Sequence, residues 1–246
     1  MKKIKLLLIT LLLATASVTL AGCSNEEANR EHVPITNTQE SIEEDKSDFP
    51  QRDKAIEQYL LAQKQFSWQT EKDSHTFCKI ENLKPDQELF PLYLWSYCGE
   101  YIIKDNKLET LSGSSGPVKI DYPNELSYYN LSQFSHEVPG DGSNYAKDIK
   151  IIFPDDVQRK IFNHDTKSLI TKTENFALIN ISAWNSIKQA IADCEIKSIM
   201  QTHALEVTAT FKEGRIITAQ EPGIDDIFNI IDENREKCGE IIMATE

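Results

Sequence analysis

Hydrophobic residues change their spacing several times along this chain, and each change marks an element. Residues 6–13 are continuously apolar apart from Thr10, and residues 24–50 then carry few large apolar side chains. Beyond them the spacing turns helical. Ile56, Tyr59, Leu60 and Gln63 fall on one face, which predicts a helix over 53–63 with Asp53 as its cap. The period then drops to two. Strands are predicted over 74–82, 92–103, 107–111 and 117–122, with Asp105-Asn106 turning the second into the third. A turn-rich break at 140–143 precedes two short helices, 143–152 and 155–162. Pro154 separates them and suits the first turn of the second.

The last third is patterned more sharply. Trp184, Ile187, Lys188 and Ile191 predict a helix over 182–193, and a strand over 195–201 follows. Leu205, Val207, Ala209 and Phe211 alternate with Glu206, Thr208 and Thr210; Glu213-Gly214 makes a hairpin turn, and 215–218 returns. Pro222-Gly223 ends the strand. Ile224, Ile227, Phe228 and Ile231 then space as an amphipathic helix, with Gly239 as its stop and 240–243 as a closing strand. The expected class is α+β in two small modules. The first, 51–163, is a helix on an antiparallel four-stranded sheet plus two short helices; its order is similar to that of cystatin-like and NTF2-like folds. The second, 164–246, reads α-β-β-β-α-β.

The opening run changes the picture of where the chain resides. Lys2, Lys3 and Lys5 precede an apolar stretch too short to span a bilayer, which needs about 20 residues. This is a secretory signal pattern over residues 1–22. Leu20-Ala21-Gly22-Cys23 follows at the cleavage distance and resembles the lipobox of bacterial lipoproteins. The resemblance implies diacylglycerol on the Cys23 thiol, cleavage before Cys23 and acylation, such as palmitate, of the new amino terminus. Several acyl chains anchor stably where one is marginal. Removing the three signal lysines takes the formal net charge from −13 to −16. So acidic a chain argues against nucleic-acid partners, which need a basic footprint, and against adsorption onto anionic lipid. Residues 24–50 hold eight acidic and two basic side chains, a disordered tether by composition.

Two further resemblances concern the modules. The run CEIKSIMQTHALEVTATFKEGRIITAQEPGIDDIFNIIDENREKCGEII is similar in pattern to the small extracytoplasmic domain of FtsH-type membrane AAA proteases. It shares the helix, the strand with an acidic start, the hairpin, the proline before the second helix and the final strand. The chain carries neither a P-loop nor an H-E-x-x-H motif, so the implied role is assembly or protein contact rather than proteolysis. The first module, through FPLYLW, YCGEY and LSGSSGPVKIDYPNELSYY, resembles bacterial lipoproteins of unassigned role.

Five cysteines are present, and Cys23 is assigned to lipid. An even remainder in an exported chain suggests two disulfides. Cys78 and Cys98 sit in consecutive strands, and Cys194 and Cys238 flank the second module, so local pairs Cys78–Cys98 and Cys194–Cys238 are expected. His75 and Cys78 have H-x-x-C spacing, but no second pair lies nearby to complete a metal site. Ser114 and Ser115, within residues 111–117, lie on small residues that suit a hairpin turn and lack the G-x-S-x-G spacing of a nucleophile elbow. Tyr93, Trp95, Tyr97 and Tyr101 share one face of their strand, and Leu92, Leu94, Cys98 and Ile102 the other. Core is the bland account of the aromatic row. The sharper one is a ligand or partner cleft that includes Ser114, Ser115, Tyr122, Tyr128 and Tyr129. Asp155-Asp156 and Asp225-Asp226 are read as helix-opening acids. His136 and His203 have no assignable role.

No catalytic constellation, metal site or cofactor motif emerges. The expected function is a non-enzymatic extracytoplasmic lipoprotein that binds envelope proteins, held to the cell membrane, or to an outer membrane where the host has one. The alternative is a small-ligand binder or hydrolase with a pocket in the first module, which His75, His136 or Ser114 in mutual reach would favour.

Overall fold

In a computed structural model of the chain, helix α1 (Pro50–Leu61) starts at Pro50 rather than Asp53, because proline already holds the φ of a first helical turn. Asp53 is not the cap; it pairs with Arg52 at 3.1 Å. The structure describes residues 50–123, 129–202 and 204–245, which belong to one compact unit, Asp45–Glu246. The signal segment, Cys23, nearly all of the tether, Tyr128 and His203 lie outside the described residues.

Strands β1 (His75–Asn82), β2 (Leu92–Lys104), β3 (Lys107–Asp121) and β4 (Ser135–Glu137) form antiparallel sheet A in that order. Asp105 and Asn106 make the two-residue turn between β2 and β3, with φ of 50° and 61°. β3 is one strand where two were expected, and it runs straight through the serine–glycine stretch read as a turn. The cause lies on the neighbouring strand. A side chain at Gly113 would come within 3.0 Å of the Tyr97 Oη, so small residues are needed where large rings lie across the sheet. Pro117 is tolerated in mid-strand because β4 pairs only with Lys119, Ile120 and Asp121, leaving Pro117 on an edge. The fourth strand is therefore β4, not 117–122.

Sheet A is covered on both sides, as its doubly apolar β2 requires. Ile56 and Leu60 of α1 pack on Leu92, Leu94, Cys98, Val118 and Ile120. Helices α2 (Tyr145–Ile152), α3 (Asp155–Phe162) and the first half of α4 (Lys167–Ala192) cover the aromatic face. α4 is longer than the predicted 182–193. Leu169, Thr173, Ala177 and Ile181 continue its buried stripe onto sheet A, while Trp184, Ile187, Ala190 and Ile191 face the second sheet. One helix thus supports both halves.

Sheet B orders β7 (Ile216–Gln220), β6 (Glu206–Phe211), β5 (Ile196–Gln201) and β8 (Ile242–Thr245), with β8 parallel to β5. Gly214, at φ 95°, turns β6 into β7. α5 (Asp226–Cys238) follows, and Gly239 stops it at φ 77°. Its start departs from expectation. Asp225 sits at φ 69° without a side-chain cap, and Glu221 does the capping: its carboxylate accepts from the Ile227 N–H at 3.0 Å and the Asp225 N–H at 3.3 Å. Asp155 does not cap α3 either, and Asp156 pairs with Lys84 at 3.3 Å. The architecture is α+β, and two disulfides close it, Cys78–Cys98 within sheet A and Cys194–Cys238 between the start of β5 and the end of α5.

Candidate functional site

The aromatic row is not a cleft wall. Trp95, Tyr97 and Tyr101 are buried beneath the helices beside Ile149, Phe153, Val157 and Ala177, and Tyr93 is half-buried against Phe153. Burial pushes the Tyr101 hydroxyl pKa well up, and the neighbouring Tyr97 adds to it. Tyr122 and Tyr129 pack on the opposite face of sheet A with Phe90 and Phe134. Ser114 lies opposite Cys98 on β3, and Ser115 accepts a hydrogen bond from the Trp95 indole at 2.8 Å. His136 hydrogen-bonds Tyr59 at 2.7 Å and the Gln65 side chain, and burial lowers its pKa. His75 instead stacks on Phe77 and meets the edge of Trp184. The three residues proposed for chemistry therefore stand in separate environments. Cys78 is committed to a disulfide, which leaves His75 without its H-x-x-C partner.

What the structure brings together is a cleft where the edges of the two sheets meet. β1 is outermost in sheet A, and β7 is outermost in sheet B. Between them lie two compartments of about 70 and 140 Å³ that share Leu61 and Gln220. α1 contributes Lys54, Glu57 and Gln58, α4 contributes Phe176 and Asn180, and the chain after α1 contributes Ser67, Trp68 and Gln69. The lining mixes amide and hydroxyl side chains with aromatic, aliphatic and charged ones.

Both edges also present backbone groups. The Leu83 N–H donates to the Tyr93 carbonyl, which places Cys78 and Cys98 in the non-hydrogen-bonded class of antiparallel pairs; their Cα separation of 4.0 Å agrees. The N–H and C=O of Thr76 and Cys78 therefore point away from β2. On sheet B, Glu221 N–H donates to the Leu205 carbonyl and Phe211 N–H to the Arg215 carbonyl. By the same alternation, the groups of Thr218 and Gln220 point away from β6.

The ionisable groups around the cleft are already held. Lys79 donates to Glu57 at 2.8 Å and stands 3.8 Å over the Phe176 ring, bridging α1 to α4 around the edge of β1. An exposed pair, Lys54–Glu206 at 2.6 Å, joins α1 to β6. Burial pushes the Glu100 carboxyl up, but hydrogen bonds from Ser74, Thr70 and Ser112 outweigh it and hold the group below its usual range. Glu221 goes the other way: burial raises it, against the helix amide and Gln201 that hold its charge. His75 is 2% exposed, bonds the Gln220 backbone and has no partner for Nδ1 among the described residues. Such fully satisfied carboxylates serve architecture. Sequence reasoning missed Glu57, Lys79, Glu100 and Glu221. The available signal for Glu100 was an acid inside a strand apolar on both faces, a position that demands internal hydrogen bonds.

No family model, curated protein or solved structure matches the chain.

Proposed function

We propose that this chain is an extracytoplasmic, lipid-anchored binding protein that engages envelope proteins without catalysing a reaction. The observation that carries the reading is the cleft between β1 and β7. Its walls offer backbone donors and acceptors on two strand edges together with Gln58, Asn180 and Ser67, while its charged groups are taken up by internal partners. Edges of this kind accept an extended segment of another protein. Two disulfides fit an oxidising compartment, and the lipobox at Cys23 supplies the anchor.

Metabolic labelling with an alkyne fatty acid tests the anchor. The native chain is expected to carry label and sediment with membranes, and Cys23→Ser to lose both; a Cys23→Ser chain that remains labelled overturns the assignment. A photoreactive side chain in place of Gln69, which lines the cleft and is exposed, tests the binding role in native membranes. Illumination is expected to yield an adduct with another envelope protein. Its absence across growth conditions counts against the reading.

A further inference from the structure

The two compartments of the cleft differ in how their charge is balanced. In the smaller one, of about 70 Å³, both acids have a lysine: Glu57 pairs with Lys79, and Glu206 with Lys54. In the larger one, of about 140 Å³, Glu221 is the one charged residue of the lining among the described residues. A second carboxylate stands directly behind its wall, because Ser74 of the lining donates to Glu100 at 2.6 Å. Glu221 is 1% exposed and Glu100 fully buried. Every donor they have is neutral. Glu100 accepts from Thr70, Ser74 and Ser112, and Glu221 from Gln201 and the Asp225 and Ile227 amides. Neither has a lysine or arginine partner among the described residues. Neutral donors and the α5 N-terminus offset part of this charge. Burial still holds the Glu221 carboxyl above its usual range. Low-dielectric walls focus the remaining negative field into the space they enclose.

We propose that the larger compartment seats a lysine side chain of the extended segment that the cleft binds. The seat presupposes the strand-edge binding role and adds to it a chemical preference. An ammonium supplies the cation that this compartment lacks. Its three N–H donors suit the scattered oxygens of Ser67, Gln69 and Gln220. The planar fork of an arginine would need a free carboxylate, and the oxygens of Glu221 are already taken. Trp68 lines the same space and offers a ring to a cation, and Leu61 and Leu205 offer apolar surface to the stem. Thr76 and Gln220, whose backbone groups face outward on the two strand edges, line it as well, so a segment paired with either edge runs past it.

The test uses the full chain in native membranes, with a photoreactive side chain in place of Gln69, and sequences the linked segment. Capture of a protein is not enough. The segment is expected to carry a lysine within about three residues of the link, a span of about 10 Å in extended chain. Glu221→Gln is expected to lower the adduct yield about tenfold or more. Glu221→Asp disturbs the site at least as much but keeps the charge, and is expected to retain most of the yield. The Gln change moves the mature chain's net charge by one unit in 16, so general attraction changes little. Unchanged circular dichroism of both variants confirms the fold. A linked segment without lysine, a yield indifferent to Glu221→Gln, or an equal loss in both variants overturns the lysine seat and leaves the binding role standing. No adduct from the native chain overturns the binding role itself, and the seat with it.

Discussion

His75 is a buried histidine that ties the stability of the fold to pH. It stands on β1, reaches the Gln220 backbone across the cleft and is enclosed by Phe77 and Trp184. Burial lowers its pKa to about 4, and the charge of Lys188 adds to that; Asp73 and the Gln220 bond oppose it without prevailing. The unfolded chain has the ordinary value near 6.5, so between those values it binds a proton that the folded chain refuses. Stability from this residue is therefore complete above about pH 6.5 and declines as pH falls toward 4, by about 3 kcal/mol at most. Urea unfolding of native and His75→Gln chains at several pH values reads it out. The native chain should lose stability to acid more steeply, and the difference between the two should shrink as pH falls. Parallel pH profiles would show that other groups carry the acid response.

Strands and helices here obey neighbours as much as their own patterns. Gly99 and Gly116 both lie in sheet A and look equally replaceable along the chain. Yet a Cβ on Gly99 overlaps the Tyr101 ring, and a Cβ on Gly116 meets nothing within 4 Å. Gly99→Ala is expected to cost about 1–3 kcal/mol through overpacking against a fully buried ring. Gly116→Ala should be neutral or gain about 0.4–1 kcal/mol by restricting the unfolded chain. Thermal melts of the two variants decide it, and equal shifts would remove the packing explanation. The same dependence explains what could be foreseen. β6 and α3 follow from local alternation and stops, and both fall where periodicity placed them. The sequence pattern divides β3 because Gly113 and Ser114 resemble turn residues, although the reason for Gly113 is a tyrosine on the neighbouring strand. The first half of α4 escaped notice because Thr173 and Ala177 occupy core positions without large apolar side chains. The disulfide pairs were legible from order alone, as each joins elements within one sheet region. The cleft is not legible in the sequence, because β1 and β7 are far apart in the chain and only the folded packing brings them side by side.

At the scale of the whole molecule, α4 decides whether the two sheets unfold together. Its first half buries Leu169, Ala177 and Ile181 against sheet A, and its second half buries Trp184, Ile187 and Ile191 against sheet B. A continuous helix cannot lose one half's packing without exposing the turn at which the other begins, since helix formation is itself cooperative. His75 and the Lys54–Glu206 pair add direct links between the sheets. The described unit is therefore expected to unfold in one transition. Two tryptophans make the test direct: Trp95 lies in the core between sheet A and the helices, and Trp184 in the core of sheet B. Trp184→Phe leaves Trp95 to report on sheet A, and Trp95→Phe leaves Trp184 to report on sheet B, with Trp68 common to both. The two denaturant curves should share a midpoint after correction for each variant's own stability, the coincidence of probes that defines two-state behaviour. The disulfides sharpen the same test. Chain-entropy arguments give about 3 kcal/mol for the 20-residue separation at Cys78–Cys98, and about 4 kcal/mol for the 44-residue separation at Cys194–Cys238. If the unit is cooperative, replacing Cys194 and Cys238 with serine lowers the midpoint reported from both sheets equally. A fall seen only by Trp184 would instead establish that sheet B unfolds alone and that α4 frays at its middle.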